Sequence, residues 1–429
     1  MMMALFAGIF IVLFLIGTPI AVALGATSLF NMEVFDTIAV SSFTKTASNG
    51  FNSYLLVACP LFTFAGDIMA KGGISKKLFN IFSYFIGDKT GGMPCAVVVT
   101  CLFYGAISGS APATTAAVGS MTIPILVAMG YDLTFCAALV AIVGGLGVII
   151  PPSIPFILYC MGTNSSVGAL FIAGILPGIL IGALLMVYSV YYCKKHGEDK
   201  VKIHESVDEL RQKGFWNVFK ESFWALLSPV FILGGIYGGF VTPTEAAVVS
   251  VVYALIVSLF IYRTAKVSDL WNIVREAVDT YAPLLFILGS AAAFGKVLTL
   301  TQVPQMVATT IGGVFTSKIA LLIVINVFLL FVGMIMDTGP AILILAPILA
   351  PLTTAAGIDP IHFGIIMICN LAIGFVTPPV GNNLYVASTI TKIPVMTIAK
   401  RALPFMGVFF LALILITFVP QISLLLTGL

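Results

Sequence analysis

Two short polar stretches inside apolar segments hold the residue types that could do chemistry in this chain. One reads ISGSAPATT at 107–115, and the other reads IMDTGPA at 335–341. Hydroxyls, a carboxylate and the backbone carbonyls exposed by a broken helix are the oxygen ligands that bind Na⁺ in membrane proteins. The amides at the start of the helix after each break favour an anion. These residues therefore predict that a hard cation and an anion bind close together.

A second kind of break follows each of these stretches. GGLGVIIPPSIP occupies 144–155, and AIGFVTPPVGNN occupies 372–383. Proline removes a backbone donor and clashes with the preceding turn, so a helix must unwind at each double proline. Irregular backbone is tolerated at membrane depth only where it is buried in protein or lines a cavity. We therefore expect each half of the chain to contain a re-entrant helical hairpin beside a broken helix.

The composition places these breaks in a membrane. Hydrophobic residues make up 60% of the 429 residues, charged residues make up 9%, and the mean hydropathy is +1.14. Soluble proteins average about 25% charged residues. The long charge-free runs predict an all-α polytopic membrane protein with about ten to twelve spans. The thinly spread net charge of +3 argues against nucleic acid as a partner, and the seven cysteines have no metal-binding spacing.

The two halves of the sequence are related to each other. GAISGSAP at 105–112 matches GMIMDTGP at 333–340. A constant offset then pairs the following residues: Pro124 with Pro351, Asp132 with Asp359, Gly147 with Gly374, Pro151 with Pro378, Pro152 with Pro379 and Pro177 with Pro404. Internal duplication of this kind is typical of transporters built from repeats. We expect two inverted repeats and an elevator-type ion transporter architecture.

The expected boundaries follow from this pairing. The first repeat covers 1–193, with its hairpin at about 93–130 and its broken helix at about 133–162. The second repeat covers 223–429, with its hairpin at about 318–357 and its broken helix at about 361–390.

The linker at 194–222 is the longest polar stretch of the chain. It carries seven Lys and Arg residues close to membrane ends, so the positive-inside rule places it in the cytoplasm. Two inverted repeats then place both termini on the periplasmic side. Residues 201–213 and 263–279 are expected to form helices at the membrane surface, because their apolar residues fall on one face.

The acidic residues have two kinds of predicted role. Asp337 is the ionisable residue at a hairpin tip, where it either ligates Na⁺ or caps the following helix. Asp132 and Asp359 follow Gly-x and open a helix, so both are interpreted as N-caps. Glu245 is interpreted as a helix-start residue, and His362 as a polar residue at the membrane interface.

An anionic substrate would find little positive charge in these segments. No Lys or Arg occurs between residues 90 and 193, or between residues 319 and 391. Helix N-termini, Ser153, Asn382, Asn383 and bound Na⁺ would then have to compensate the negative charge. This requirement physically links the binding of the anion to the binding of Na⁺.

Four motifs together resemble the large membrane (permease) subunit of a tripartite ATP-independent periplasmic (TRAP) transporter. They are GAISGSAPATTAAVG, PPS at 151–153, DTGPAI and TPPVGNN. The resemblance covers essentially the whole chain. It implies an elevator-type, Na⁺-coupled importer of small carboxylates in the bacterial inner membrane. It also implies a small four-helix membrane subunit and a soluble periplasmic binding protein, neither of which is expected to be fused to this chain.

The resemblance also implies a set of binding residues, including about two Na⁺ sites. The first Na⁺ site would use Ser108, Ser110, Gly145, Val148 and Pro151. The second would use Gly333, Asp337, Thr338, Thr377 and Gly381. Substrate contacts would come from Thr114, Ser153, Asn382 and Asn383. The chain resembles the sialic-acid branch overall, but no motif separates it from carriers of C4-dicarboxylates.

Three other functions fit parts of the sequence. A stand-alone Na⁺/dicarboxylate symporter, which needs no binding protein, would share the hairpins and the broken helices. An intramembrane serine protease would use the ISGS stretch, but His362 is its only candidate base and the duplication would be unexplained. A channel would not need two pairs of breaks. The sequence therefore predicts a transporter rather than an enzyme.

Overall fold

The computed structural model describes residues 2–35, 39–303, 305–306 and 317–428. The described residues form helices joined by short connections and contain no strand, which confirms the expected all-α class. The first ten helices are α1 Met2–Leu15, α2 Ile20–Phe35, α3 Ser41–Phe51, α4 Ala58–Lys71, α5 Ile74–Ile86, α6 Gly92–Ser108, α7 Ala111–Ala128, α8 Leu133–Gly144, α9 Ile154–Thr163 and α10 Val167–His196. The other ten are α11 Lys200–Gln212, α12 Phe215–Tyr237, α13 Pro243–Leu255, α14 Val267–Leu300, α15 Lys318–Ile335, α16 Thr338–Ala355, α17 Pro360–Gly374, α18 Asn382–Thr391, α19 Val395–Phe418 and α20 Gln421–Leu424.

Nine helices within the described ranges are long and apolar enough to cross a bilayer. This number confirms a multi-pass membrane protein, although it is below the ten to twelve spans expected from composition. The count of nine leaves out helices shorter than 18 residues, which include the pieces of the two broken helices. Five apolar helices of 10–17 residues are present in addition to the nine.

Two pairs of helices contain the polar stretches. In the first helix pair, α6 and α7 are separated by Gly109 and Ser110, and Gly109 has a φ of 60° that favours glycine. In the second helix pair, α15 and α16 are separated by Met336 and Asp337, both in extended conformation. Each polar stretch therefore spans a break between two helices rather than lying within one continuous helix.

Two broken helices accompany these pairs. The first consists of α8, a 3₁₀ turn over Gly145–Val148 and α9, and the second consists of α17 and α18. The double prolines lie in both gaps, and the Pro-Pro bond is cis in each. Every residue of α17 from Ile361 to Gly374 is buried, as is every residue of α8 from Phe135 to Gly144. Because protein surrounds both helices on every face, these two form the centre of the core.

Acidic side chains start three of the helices as expected. Asp132 accepts a hydrogen bond from the amide of Phe135 at 2.8 Å. Asp359 accepts from the amides of Ile361 and His362 at 2.8 and 3.1 Å. Glu245 forms a capping box with Thr242. These bonds satisfy amides that have no partner within the helix, and they confirm the N-cap and helix-start interpretations.

The linker docks against the base of the first helix pair. Glu198 accepts hydrogen bonds from Tyr131 Oη at 2.5 Å and from the amide of Gly91 at 3.1 Å, and Lys200 Nζ lies 2.9 Å away. Burial alone would raise the pKa of Glu198, but these hydrogen bonds outweigh it and lower the pKa. Helix α11 lies beyond this point, and Arg211 pairs with Asp88 before α6. The linker therefore marks the end of the molecule at which α6 begins.

The expected surface helix over 263–279 is not a separate element. Val267 begins a helix that continues without interruption to Leu300. Its 34 residues correspond to about 51 Å at 1.5 Å per residue, which exceeds the hydrocarbon thickness of about 30 Å. The helix continues through Asp279, Thr280 and Pro283, so its charged first turns extend directly from an apolar segment.

Candidate functional site

Hydroxyl groups occupy the break in the first helix pair. Ser108 Oγ lies 2.8 Å from Thr114 Oγ1, and Thr114 Oγ1 donates to the carbonyl oxygen of Ser110 at 2.8 Å. The amide of Ser110 lies 3.4 Å from Ser108 Oγ. Ser108 and Thr114 are both buried. The break therefore gathers three hard oxygen donors within hydrogen-bonding distance of each other.

This break packs directly against the first broken helix. The amide of Ile154 donates to the carbonyl oxygen of Gly109 at 3.4 Å. A Cβ at Gly147 would lie 2.4 Å from Thr114 Oγ1 and 2.7 Å from the carbonyl oxygen of Ser110. Only a glycine at position 147 lets the two broken segments approach this closely. Ser153, in the same break, donates to the carbonyl oxygen of Val148 at 2.6 Å.

The second break is organised around a carboxylate. Asp337 Oδ1 accepts from the amide of Thr338 at 2.6 Å and lies 3.4 Å from Thr338 Oγ1. Asp337 is thus the N-cap of α16, and its second carboxylate oxygen remains available to a ligand. The amide of Val380 donates to the carbonyl oxygen of Met334 at 3.2 Å, which joins this break to the second broken helix. The N-cap role and a Na⁺-ligand role for Asp337 are therefore compatible.

The same glycine contact occurs in both halves. A Cβ at Gly105 would lie 2.8 Å from the Cα of Gly147, and a Cβ at Gly333 would lie 3.3 Å from the Cα of Gly374. The reverse contact is closer still, since a Cβ at Gly374 would lie 2.3 Å from the carbonyl group of Gly333. Each helix pair therefore meets its broken helix backbone to backbone, at positions that the sequence duplication pairs.

A main cavity of about 670 Å³ lies between the two breaks. Half of the ten expected Na⁺ ligands line it: Ser108, Ser110, Val148, Asp337 and Thr338. The other five do not line it: Gly145, Pro151, Gly333 and Gly381 are buried, and Thr377 is half-buried. The two polar stretches, far apart in sequence, thus open into one cavity.

The four expected substrate residues do not line the main cavity. Thr114 and Ser153 are fully buried in the hydrogen bonds described above. Asn383 is also fully buried, and its Nδ2 donates to the carbonyl oxygen of Ala141 at 2.9 Å. Asn382 begins α18 beside it. Asn383 therefore joins the second broken helix to the first, a role that its position after the double proline did not indicate.

Two carboxyl groups that sequence reasoning missed also line the main cavity. Asp67 belongs to α4, and Glu276 belongs to the charged first part of α14. Asp67 was detectable in principle, because an ionisable residue in an apolar helix is a functional candidate by default. Together with Asp337 they make the described lining acidic, since it contains no Lys or Arg.

The donor set fits a small hard cation. Its members are hydroxyl, carbonyl and carboxylate oxygens, which suit alkali and alkaline-earth ions rather than soft metals. No group of three His, Cys, Asp or Glu residues that could hold a transition metal occurs among the described residues. An anion could bind only beside such a cation or at helix N-termini, because the main cavity supplies no cationic side chain of its own.

Comparison with known proteins gives a consistent picture. Residues 7–422 match the family model described as the tripartite ATP-independent periplasmic transporter, DctM component. An isethionate TRAP transporter permease protein DctMQ from Oleidesulfovibrio alaskensis is 42% identical over 98% of this chain, and the chain covers 66% of that longer protein, just under two thirds of its length. A C4-dicarboxylate TRAP transporter large permease protein DctM from Pseudomonas aeruginosa is 40% identical over 94% of this chain and 93% of its own length.

More distant relatives share the architecture. A sialic acid TRAP transporter large permease protein SiaM from Vibrio cholerae is 34% identical over 96% of this chain and 95% of its own length. The solved structure of the Alcanivorax borkumensis YdaH transporter superposes with a TM-score of 0.62 over 88% of both chains, at 13% identity. The latter similarity concerns the fold alone. The relatives are named as transporter permeases and not as enzymes.

The glycine contacts lead to a prediction about stability. Gly374→Ala places a Cβ against the backbone of Gly333, which cannot move aside as a flexible side chain would. We expect the free energy of unfolding to fall by about 2 kcal/mol, which is typical of overpacking. Gly407→Ala is the matched control, because that glycine lies in α19 with nothing within 4 Å of the added Cβ. Thermal unfolding in detergent measures both, and equal midpoints for the two variants would contradict the contact.

Proposed function

The chain belongs to the DctM family of tripartite ATP-independent periplasmic transporter components, and we propose that it moves a small organic anion inward together with Na⁺. The observation that carries this proposal is the main cavity. An oxygen-rich helix break from each half opens into it, and each break carries residues expected to bind Na⁺. Paired breaks of this kind are how transporters place ion and substrate sites at the centre of the membrane.

The proposed substrate is a small carboxylate or a chemically similar sulfonate. The relatives are named for isethionate, C4-dicarboxylates and sialic acid, which share a small hydrophilic body and at least one permanent negative charge. The isethionate and C4-dicarboxylate relatives are more similar to this chain than the sialic acid permease is. We therefore propose that the substrate is a two- to four-carbon anion rather than a sialic acid.

Electrostatics supports coupling to Na⁺. The main cavity is lined by Asp67, Glu276 and Asp337 and by no cationic side chain in the described structure. An anion entering this lining alone would face like charges in a medium of lower dielectric constant than water. Na⁺ bound at the two breaks would offset that repulsion. We propose that anion binding depends on prior or simultaneous Na⁺ binding for this reason.

We propose two partners and a cellular location from family membership. The partners are a small four-helix membrane subunit and a soluble periplasmic protein that delivers the substrate. The location is the inner membrane of a bacterium, with the linker in the cytoplasm and both termini in the periplasm. The seven Lys and Arg residues of the linker and the inverted orientation proposed for the repeats support this topology.

We further propose that the two helix pairs and the two broken helices move together as an elevator. Each break exposes backbone groups that lipid cannot satisfy, so it must remain against its broken helix throughout the transport cycle. The backbone contacts at Gly105–Gly147 and Gly333–Gly374 make separation within a half costly. The contact of the second helix pair with α14, in contrast, involves a side chain, Leu284 against Gly339. Motion is therefore expected between this unit and α14.

The first prediction concerns the ion. The complete transporter, reconstituted in liposomes with its small subunit and binding protein, should take up isethionate, succinate or sialic acid when Na⁺ is high outside. Asp337→Asn keeps an N-cap oxygen but removes the charge, so we expect the Na⁺ concentration for half-maximal uptake to rise about ten-fold, or about 1.4 kcal/mol. Asp359→Asn, at an N-cap outside the main cavity, should leave it unchanged.

Uptake by the wild-type transporter that is equally fast when K⁺ replaces Na⁺ on both sides would refute Na⁺ coupling. Reconstitution without the binding protein is the second control. Undiminished uptake in its absence would favour the stand-alone symporter over the tripartite function.

The second prediction concerns topology. Glu209→Cys places a thiol on the exposed face of α11 in the linker. A membrane-impermeant maleimide should label it only after the cells are opened, because the linker is proposed to be cytoplasmic. The seven native cysteines are buried and give a low background. Labelling at full rate in intact cells would show that the orientation is wrong.

The third prediction concerns motion. A Cβ at Gly339 would lie 3.3 Å from Leu284 Cδ2, so Leu284→Cys with Gly339→Cys should form a disulfide without overpacking. The disulfide ties the second helix pair to α14 and should abolish uptake, and dithiothreitol should restore it. Each single cysteine variant serves as a control for the substitution itself. Persistent uptake with the disulfide fully formed would rule out relative motion at this contact.

A further inference from the structure

A second cavity of about 500 Å³ adjoins the main cavity. We call it the vestibule. The two cavities share Asp67, Ala113 and Ala116 in their linings, so they lie next to each other at that point. The residues that line the vestibule and not the main cavity include Lys71, Gly73, Ser75, Lys76 and Ser120.

The vestibule lies at the linker end of the molecule. Lys77, next to the vestibule residue Lys76, forms an ion pair with Glu221 at 2.5 Å. The hydroxyl of Ser222 donates to the carbonyl oxygen of Lys77 at 2.8 Å. Both partners belong to the end of the linker and the start of α12. A solute that leaves the main cavity through the vestibule therefore emerges beside the linker.

The charge of the lining changes sign between the two cavities. The main cavity is lined by Asp67, Glu276 and Asp337 and by no Lys or Arg among the described residues. The vestibule is lined by Lys71 and Lys76, with Asp67 at its inner edge. An anion moving toward the linker thus passes from an acidic lining to a basic one.

Lys71 lies close to where the two cavities meet and forms an ion pair with a carboxylate. Its Nζ lies 2.9 Å from Oε1 and 2.8 Å from Oε2 of Glu276, which lines the main cavity. The side chains are 39% and 58% exposed, so the pair is weak and its partners can exchange. A second carboxylate or a sulfonate could take the place of Glu276 on Lys71. Lys76 forms no ion pair within the described part of the chain.

The first turn of α5 adds neutral donors to the same place. Gly73 is its N-cap and provides no side chain to satisfy the first amides of the helix. Ser75, in that turn, is only 4% exposed, lines the vestibule and has no described hydrogen-bond partner for its hydroxyl. Helix N-termini with nearby hydroxyls and lysines are favourable anion-binding environments.

We propose that the vestibule is an anion-binding release site, in which Lys71, Lys76, Ser75 and the start of α5 receive the organic anion from the main cavity. This inference rests on the proposed function, because it concerns the same substrate. Once Na⁺ leaves the two breaks, the three carboxyl groups of the main cavity repel the anion. The departing anion then replaces Glu276 as the partner of Lys71. From the vestibule the anion leaves the protein on the linker side. Release thereby follows from the loss of Na⁺.

The test measures the charge of the vestibule directly and does not need the natural substrate. Ser120 is exposed and lines the vestibule, so Ser120→Cys provides a reporter thiol in the full-length chain. Its rate of modification is compared for an anionic reagent, 2-sulfonatoethyl methanethiosulfonate, and a cationic one, the trimethylammonioethyl analogue. The anionic-to-cationic rate ratio reports the local potential. The chain without Ser120→Cys corrects for its seven buried cysteines.

We expect Lys71→Gln and Lys76→Gln each to lower this ratio about five-fold, as the loss of one partly screened charge requires. Glu276→Gln should raise the ratio, since it frees Lys71. Lys77→Gln is the matched control, because it breaks a similar ion pair, with Glu221, on the same helix as Lys76 but outside both cavities. An unchanged ratio in the Lys71 and Lys76 variants, or an equal fall in the Lys77 variant, would overturn the proposal.

A protection experiment tests the anion itself. Isethionate, added from the linker side without Na⁺, should slow modification of Ser120→Cys by the anionic reagent, and Lys71→Gln should remove this protection. Chloride at equal ionic strength is the control. Absence of protection in the otherwise unsubstituted chain would overturn the release site. Wild-type uptake that does not require Na⁺ would refute the proposed function. The reagent ratios could still be interpreted in that case, because they report only the charge of the vestibule.

Discussion

The structure depends on one constraint, which is that a helix broken inside a membrane must find partners for its backbone within the protein. Each break meets this requirement with the broken helix of its own half. The carbonyl of Gly109 accepts from Ile154, and the carbonyl of Met334 accepts from Val380. Such contacts need the two backbones to approach closely, which explains why glycine faces glycine in both halves. This packing also places polar residues of both breaks around one cavity.

The two halves share this backbone arrangement but differ in the side chains around it. In the second half, Asn370 donates to Asn326 at 2.6 Å, and Thr417 Oγ1 lies 3.3 Å from the same oxygen. The residues that the duplication pairs with these three are all valines: Val98, Val143 and Val190. One half thus joins its helices by hydrogen bonds where the other uses apolar packing. The two halves therefore share the geometry of the breaks, while the surrounding side chains differ.

Sequence reasoning located the features that depend on local backbone chemistry. The double prolines and the Gly-Ser and Asp-Thr stretches marked the breaks, and Asp132 and Asp359 marked helix starts, because proline, glycine and capping carboxylates act on adjacent residues. It did not locate features set by tertiary packing. The hydrogen bond by which Asn383 joins the second broken helix to Ala141 in the first is one such feature. The vestibule depends on how α4, α5 and α7 come together, which no local pattern reports.

The acidic lining of the main cavity gives a physical reason for coupling two solutes. Three carboxyl groups share one partly enclosed space, so a cation lowers the free energy of the site and an anion alone raises it. In the proposed mechanism, the affinity for the anion increases with the number of Na⁺ ions bound. Bound anion then increases the affinity for Na⁺ by the same factor, because linkage between two ligands is reciprocal. Repulsion by the same carboxyl groups would expel the anion once Na⁺ has left, so the direction of transport would follow the Na⁺ gradient.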